Sequence, residues 1–222
     1  RRVLFRSLQN SKHVTCGDGG VVASSDERFG PLLQRFGDKG FDRIQAGLLE
    51  SFGTNYRMSE PQAAVAAAQL DRLEAIARKR SELGSLISRR LVGIDGLTPH
   101  GVSPRDRCSF WYYMFRMKPG AFKVDRDEFV RALNGEGVNS TAGYIQVPVY
   151  RNPVFLKHGF FGGRWPVKEA GMTTMDYNKV HCPNTEEVLK TGIRLNIHEV
   201  MSEDHVGEYV EGIRKVAAFF RA

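Results

Sequence analysis

Cysteine is scarce in this sequence. Its three examples, Cys16, Cys108 and Cys182, are widely spaced and odd in number, and none forms a CxxC pair or joins a paired His spacing. Neither a disulfide framework nor a zinc site is expected, and the three read as reduced thiols. Long apolar runs are absent: nothing approaches the roughly 20 consecutive apolar residues a membrane helix needs. The opening Arg1-Arg2-Val3-Leu4-Phe5-Arg6 lacks an apolar run of signal-peptide length. No membrane partner is expected, and a cytoplasmic location is the default expectation. Internal repeats and low-complexity tracts are missing. So is an initiator Met, and because the chain begins inside a dense motif it reads as a piece of a longer protein.

What is present is a globular composition. At 222 residues, 41% hydrophobic and 26% charged, the chain is long enough for one large or two modest cores. The formal charge of +7 favours anions, whether phosphorylated cofactors, nucleotide-sugars or nucleic acid, without choosing among them.

Periodicity and punctuation give a coarse map. Gly17-Asp18-Gly19-Gly20 reads as a tight turn and Val21-Val22-Ala23 as a short strand. Ser24 and Glu27 form a capping-box pattern ahead of Phe29, Leu32, Leu33 and Phe36, which recur at helical spacing until Gly37 and Gly40. A second box, Ser59 with Gln62, opens an alanine-rich helix expected to run over 59–91. From about residue 98 the character changes. Phe110 to Met117 reads as a buried strand, Asp125 to Leu133 as a short helix and Tyr144 to Val149 as a strand. Residues 151 to 179 read as a punctuated loop and Glu203 to Phe220 as a terminal helix. The spacing predicts an α/β chain with domains over 1–97 and 98–222.

The chemically informative stretch is Ser7-Leu8-Gln9-Asn10-Ser11-Lys12-His13-Val14-Thr15-Cys16-Gly17-Asp18-Gly19-Gly20. It is neither Walker A nor a GxGxxG fingerprint, because the GK[ST] ending and the third spaced glycine are absent. It resembles the Ser-Phe-x-x-x-Lys-x-x-x-x-Gly-Glu-Gly-Gly signature of the DegT/DnrJ/EryC1/StrS family of sugar aminotransferases, with Leu8 for Phe and Asp18 for Glu. A second segment, Gly53-Thr54-Asn55-Tyr56-Arg57-Met58-Ser59-Glu60-Pro61-Gln62-Ala63-Ala64, is similar to that family's Gly-Tyr-Asn-Tyr-Arg-Met-x-Glu-x-Gln-Ala-Ala. Looser matches lie at Cys182-Pro183-Asn184-Thr185-Glu186-Glu187, at Arg194-Leu195-Asn196-Ile197-His198, where Asn196 stands in the place of the usual proline, and at Ser202-Glu203-Asp204.

The resemblance implies a partial fold type I of the pyridoxal 5′-phosphate (PLP) enzymes: the C-terminal part of a large domain, then a small α/β domain. It implies that Lys12 is the Schiff-base lysine and that Ser7 binds the cofactor phosphate. It further implies that Asn55 reaches the phosphate held by a second subunit, so that a homodimer shares its active sites. Substrates would be glutamate or glutamine and a keto-sugar, often nucleotide-linked, or keto-cyclitol, for cell-surface polysaccharide or antibiotic synthesis. His13, Arg194 and Tyr150 are candidate substrate contacts, Arg194 because a guanidinium suits a donor carboxylate. No metal is expected.

The residue types suit this chemistry. An ordinary lysine is neutral in roughly one molecule in two thousand at pH 7, so a nucleophilic one needs its ammonium form disfavoured by burial or nearby positive charge. A phosphate is well held by hydroxyl and amide donors such as Ser7 and Asn55. In the family the aspartate facing the pyridinium nitrogen and the ring-stacking aromatic precede the lysine, and eleven residues precede Lys12 here. This chain alone is therefore expected to bind PLP poorly and to be inactive. Two alternatives stay open: a PLP-dependent sugar dehydratase of the same fold, in which histidine replaces the lysine, and a non-catalytic basic binding or regulatory protein. For the second, Arg78-Lys79-Arg80 with Arg89-Arg90 is the candidate patch, but interleaved Glu74 and Glu82 read as the solvated side of a helix, so no nucleic acid is expected.

Overall fold

The computed structural model describes residues 3–43 and 47–222, and the chain divides into two compact units, Arg1–Lys79 and Arg80–Ala222. In the first, β1 (Val3–Ser7) and β2 (Gly20–Ser24) pair antiparallel, with Val3 opposite Ser24 and Ser7 opposite Gly20. Gly17 and Gly19 hold φ values of 91° and 129°, where a β-carbon would be strained, and this lets the connection turn back into β2. Helix α1 (Phe29–Gly37) comes next, but not with the expected cap. The Asp26 carboxylate accepts the N–H groups of Arg28 and Phe29 at 2.9 and 3.1 Å, while Ser24 Oγ accepts from Asp26. The nearer carboxylate has taken over the turn.

Helix α2 (Glu60–Leu70) starts as expected, with Ser59 and Gln62 satisfying each other's backbone N–H groups. It does not continue to residue 91. The N–H of Arg72 turns back to Gln69 O at 3.1 Å, a tight i→i+3 bond, and a separate helix α3 begins (Leu73–Leu91).

The division between units falls at Lys79–Arg80, inside α3, earlier than the 97/98 boundary read from composition. Packing explains the position. Leu83, Ile87 and Leu91 of α3 are buried in the same core as Phe115, Phe129 and Ile213, so these helical turns belong to the second unit.

That second unit is built on a four-stranded antiparallel sheet. β3 (Leu97–Thr98) pairs with β4 (Tyr113–Met117), and after helix α4 (Arg126–Gly135) come β5 (Ser140–Thr141) and the short helices α5 (Pro153–Leu156) and α6 (Pro166–Glu169). Helix α7 (Pro183–Thr191), strand β6 (Gly192–Leu195) and helix α8 (Glu203–Phe219) complete it. The sheet order is β3-β4-β6-β5. In β4 the buried residues are Tyr113, Phe115 and Met117, alternating with half-buried Met114 and Arg116, as period-two geometry dictates. Asp125 caps α4 by accepting from Glu128 N–H at 2.8 Å, and Ser202 caps α8 by accepting from His205 N–H at 3.1 Å.

Three expectations are corrected here. The strand read over 110–117 forms only from Tyr113, because Arg80 takes the carbonyls of Phe110 and Trp111 at 3.1 and 2.6 Å, and Phe110 itself has φ 45°. The strand read over 144–149 is absent. The place beside β6 is occupied by Ser140–Thr141, leaving Tyr144, Ile145 and Val147 exposed. The loop read over 151–179 holds α5, α6 and an aromatic cluster in which Trp165 stacks on Tyr177 with centroids 5.5 Å apart. Among the described residues no helix is long and apolar enough to cross a membrane, and no group of three or more His, Cys, Asp or Glu could hold a metal.

Candidate active site

Ser7 ends β1, and residues 8–19 form the connection to β2 that carries Lys12. Three buried side chains pin it. Leu8, Val14 and Cys16 pack with Ala66 of α2 and Ile76 of α3, with Met58 against them. The backbone of Leu8 is tied at both groups: its N–H donates to Gly19 O at 3.0 Å, and its carbonyl accepts from Cys16 N–H at 3.0 Å. The N–H of Lys12 donates to Gln9 O at 2.9 Å, closing a turn. Lys12 and His13 are thus half-buried on a loop anchored on both flanks.

Beside this loop lies a cavity of about 560 Å³ lined by, among others, Ser7, Arg6, Asp18, Tyr56, Arg57 and Gln62. Asp18 shapes the turn: its carboxylate accepts from Gly19 N–H at 3.0 Å and its carbonyl accepts from Gln62 Nε2 at 3.2 Å, joining the glycine turn to α2. A hydroxyl, an amide and two guanidinium side chains around one concavity make a donor set that suits a phosphate. The reading of the sequence gave Arg57 no role of its own and Gln62 only that of a helix cap. Their signal was there, in the segment that begins at Gly53, but only the folded chain shows them lining the same cavity as Ser7.

Neither Lys12 nor Asn55 lines that cavity. Asn55 is exposed, and its Oδ1 accepts from Arg57 Nε at 3.3 Å. Arg57 Nε also lies 3.3 Å from Asp38, which is hydrogen-bonded by Arg43 Nε at 2.7 Å. The Arg43 hydrogen bond holds the Asp38 carboxyl below its usual range, outweighing its desolvation, with the charges of Arg43, Arg57 and Lys39 acting in the same direction. Asn55, Arg57, Asp38 and Arg43 thus form one linked network between α1 and α2.

The remaining candidates lie in the second unit. Tyr150 is engaged by its own unit: its hydroxyl donates to Glu186 Oε1 at 2.6 Å and accepts from Cys182 N–H at 3.1 Å. The hydrogen bond to Glu186 and burial raise the Tyr150 pKa above the ordinary tyrosine range. Arg194 sits on β6 with its guanidinium over the rings of Tyr112 and Tyr144, 5.4 and 5.3 Å from the centroids. Of the basic run on α3, Arg80 is buried rather than solvated.

A two-stranded ribbon whose connection carries a lysine beside a cavity of about 560 Å³, joined in sequence to a small antiparallel α/β unit, is part of a fold type I transferase. Residues 3–214 match the DegT/DnrJ/EryC1/StrS aminotransferase family, and the chain belongs to it. It is 30% identical over 190 residues to a Micromonospora echinospora protein named as an L-glutamine:3-amino-2,3-dideoxy-scyllo-inosose aminotransferase, covering 82% of this chain and 44% of that one. The crystal structure of 3-amino-5-hydroxybenzoic acid synthase superposes with a TM-score of 0.75 at 28% identity, over 98% of this chain and 54% of that one. That of Streptomyces venezuelae DesV, in complex with a ketimine intermediate, superposes at 0.76 and 24% identity, over 97% and 51%. The chain spans about half the length of the relatives it matches.

Proposed function

We propose that the protein containing this chain is a PLP-dependent aminotransferase that moves an amino group from glutamate or glutamine to a keto-sugar or keto-cyclitol, with Lys12 as its catalytic residue. The observation that carries the reading is the anchored loop: buried Leu8, Val14 and Cys16 fix the backbone on both sides of Lys12, next to the cavity on which Ser7 opens. The relatives favour the substrate classes. One is named for glutamine and an inosose, the other for an aminated ring acid.

In this reading the Ser7 hydroxyl, Gln62 and Arg57 hold the cofactor phosphate, and Asn55 reaches the phosphate of a second subunit in a homodimer. PLP, when bound, supplies the electron sink for the carbanion at the donor's α carbon. The Lys12 amine takes the proton from that carbon and holds it for return, acting as base and then acid. The pinned loop fixes the backbone that carries the amine, and misplacement of about 1 Å costs on the order of a hundredfold in rate. His13, Arg194 and Tyr150 stay assigned to substrate contact.

Borohydride reduction of the intact protein with PLP, and then peptide mass spectrometry, tests the assignment. Label is expected on the peptide carrying Lys12 and lost in Lys12→Ala. Label on another lysine, or none, would sink it.

A further inference from the structure

Arg194 is a cation with no counter-charge among the described residues. It lies in the middle strand β6, opposite Met114 of β4 and Thr141 of β5, and its side chain is half-buried on the sheet face away from the core. The guanidinium rests over Tyr112, just before β4, and Tyr144, just after β5; these two rings are themselves 5.9 Å apart. Its Nε is buried and has no hydrogen-bond partner. Its Nη2 donates to Asn196 Oδ1 at 3.1 Å, and among the described residues no carboxylate pairs with it. Ring faces offset part of the charge, but a cation partly withdrawn from water is ordinarily matched by an anion.

Asn196 sets the aim. Its backbone N–H donates to Asn139 O at 3.3 Å and its Nδ2 donates to Asn139 Oδ1 at 2.9 Å, which leaves Oδ1 turned to Arg194. The proline usual at this place has neither N–H nor amide and could make none of these bonds. The departure from the family pattern therefore comes with a hydrogen-bonded row, Asn139–Asn196–Arg194, that restricts the rotation of the guanidinium. An arginine held this way has lost much of its rotamer freedom before any ligand arrives, and its fork matches an oxyanion in two bonds.

We propose that Arg194, seated on Tyr112 and Tyr144 and aimed by Asn196, binds the oxyanion of a small ligand, a carboxylate or a phosphate group. Asn196 is its positioning residue. The proposal rests on the substrate-contact role given to Arg194 above, but it is read by binding without turnover, so its failure would leave the labelling of Lys12 untouched.

The test titrates the 222-residue chain with glutarate and, separately, with inorganic pyrophosphate, monitored by calorimetry and by tryptophan emission, since Trp111 stands edge-on to Tyr144 with centroids 5.5 Å apart. Saturable binding of one probe is expected, and the stronger of the two identifies the source as carboxylate or phosphate. Arg194→Gln should weaken it about tenfold or more, the loss of a charge-assisted bidentate contact. Should that variant fold poorly, Asn196→Asp decides the matter. It places a carboxylate of the chain's own against the guanidinium, so affinity should fall at least as far while the melting temperature holds or rises. No saturable binding of either probe by the unaltered chain, or undiminished binding by well-folded Asn196→Asp, overturns the proposal.

Discussion

Arg80 shows how much one side chain organises. Only 7% of its side chain is exposed, and it reaches the carbonyls of Phe110 and Trp111 and the carboxylate of Glu199, the last at 3.0 Å. Removing it would take a charged donor from each of these acceptors, so Arg80→Ala is expected to destabilise by roughly 3 kcal/mol. Burial alone would raise the pKa of Glu199, but the hydrogen bond to its own backbone N–H and the Arg80 guanidinium outweigh that and lower it. A lowered folded-state pKa contributes stability that is full above the unfolded value of about 4.3 and is lost as pH falls through the folded value. The melting-temperature gap between the unaltered chain and Glu199→Gln should therefore be widest near neutrality and close in acid, and a gap constant with pH would refute the coupling. In the sequence Arg80 reads as one of several surface charges. Nothing local distinguishes it from Lys79, because its acceptors are supplied by residues 110, 111 and 199.

Among the elements, α3 and the segment leading into β4 depend on a missing side chain. A β-carbon built on Gly84 would lie 2.4 Å from Phe110 Cδ2, so the helix approaches that ring only because position 84 has none. Overpacking of this kind costs about 1–3 kcal/mol, against a helix-propensity gain for alanine of under about 1 kcal/mol. Gly84→Ala should accordingly lower the denaturation midpoint, read by urea titration with an unchanged slope; a stabilised variant would mean that Phe110 moves freely aside. Of the two helix starts read from capping boxes, Ser59 with Gln62 formed as expected, because a cap is made within three residues of itself, while Ser24 with Glu27 gave way to the nearer Asp26. The end of β4 and the identity of β5 were not legible in the sequence, since a strand is defined by its neighbours: Tyr144 to Val149 alternates well enough, but Ser140–Thr141 took the pairing with β6.

For the whole molecule the resemblance and the structure bear on different questions. Membership of the family, the order of its motifs and the candidacy of Ser7, Lys12 and Asn55 come from the amino-acid sequence alone, because each rests on residues a few positions apart along one backbone. The division at Lys79–Arg80, the cavity that joins Ser7 to Arg57 and Gln62, and the seat of Arg194 were decided only by the tertiary structure. Residues 112, 144, 194 and 196 meet because antiparallel pairing lays β4, β6 and β5 side by side, and strand pairing between distant segments leaves no spacing for a linear reading to detect.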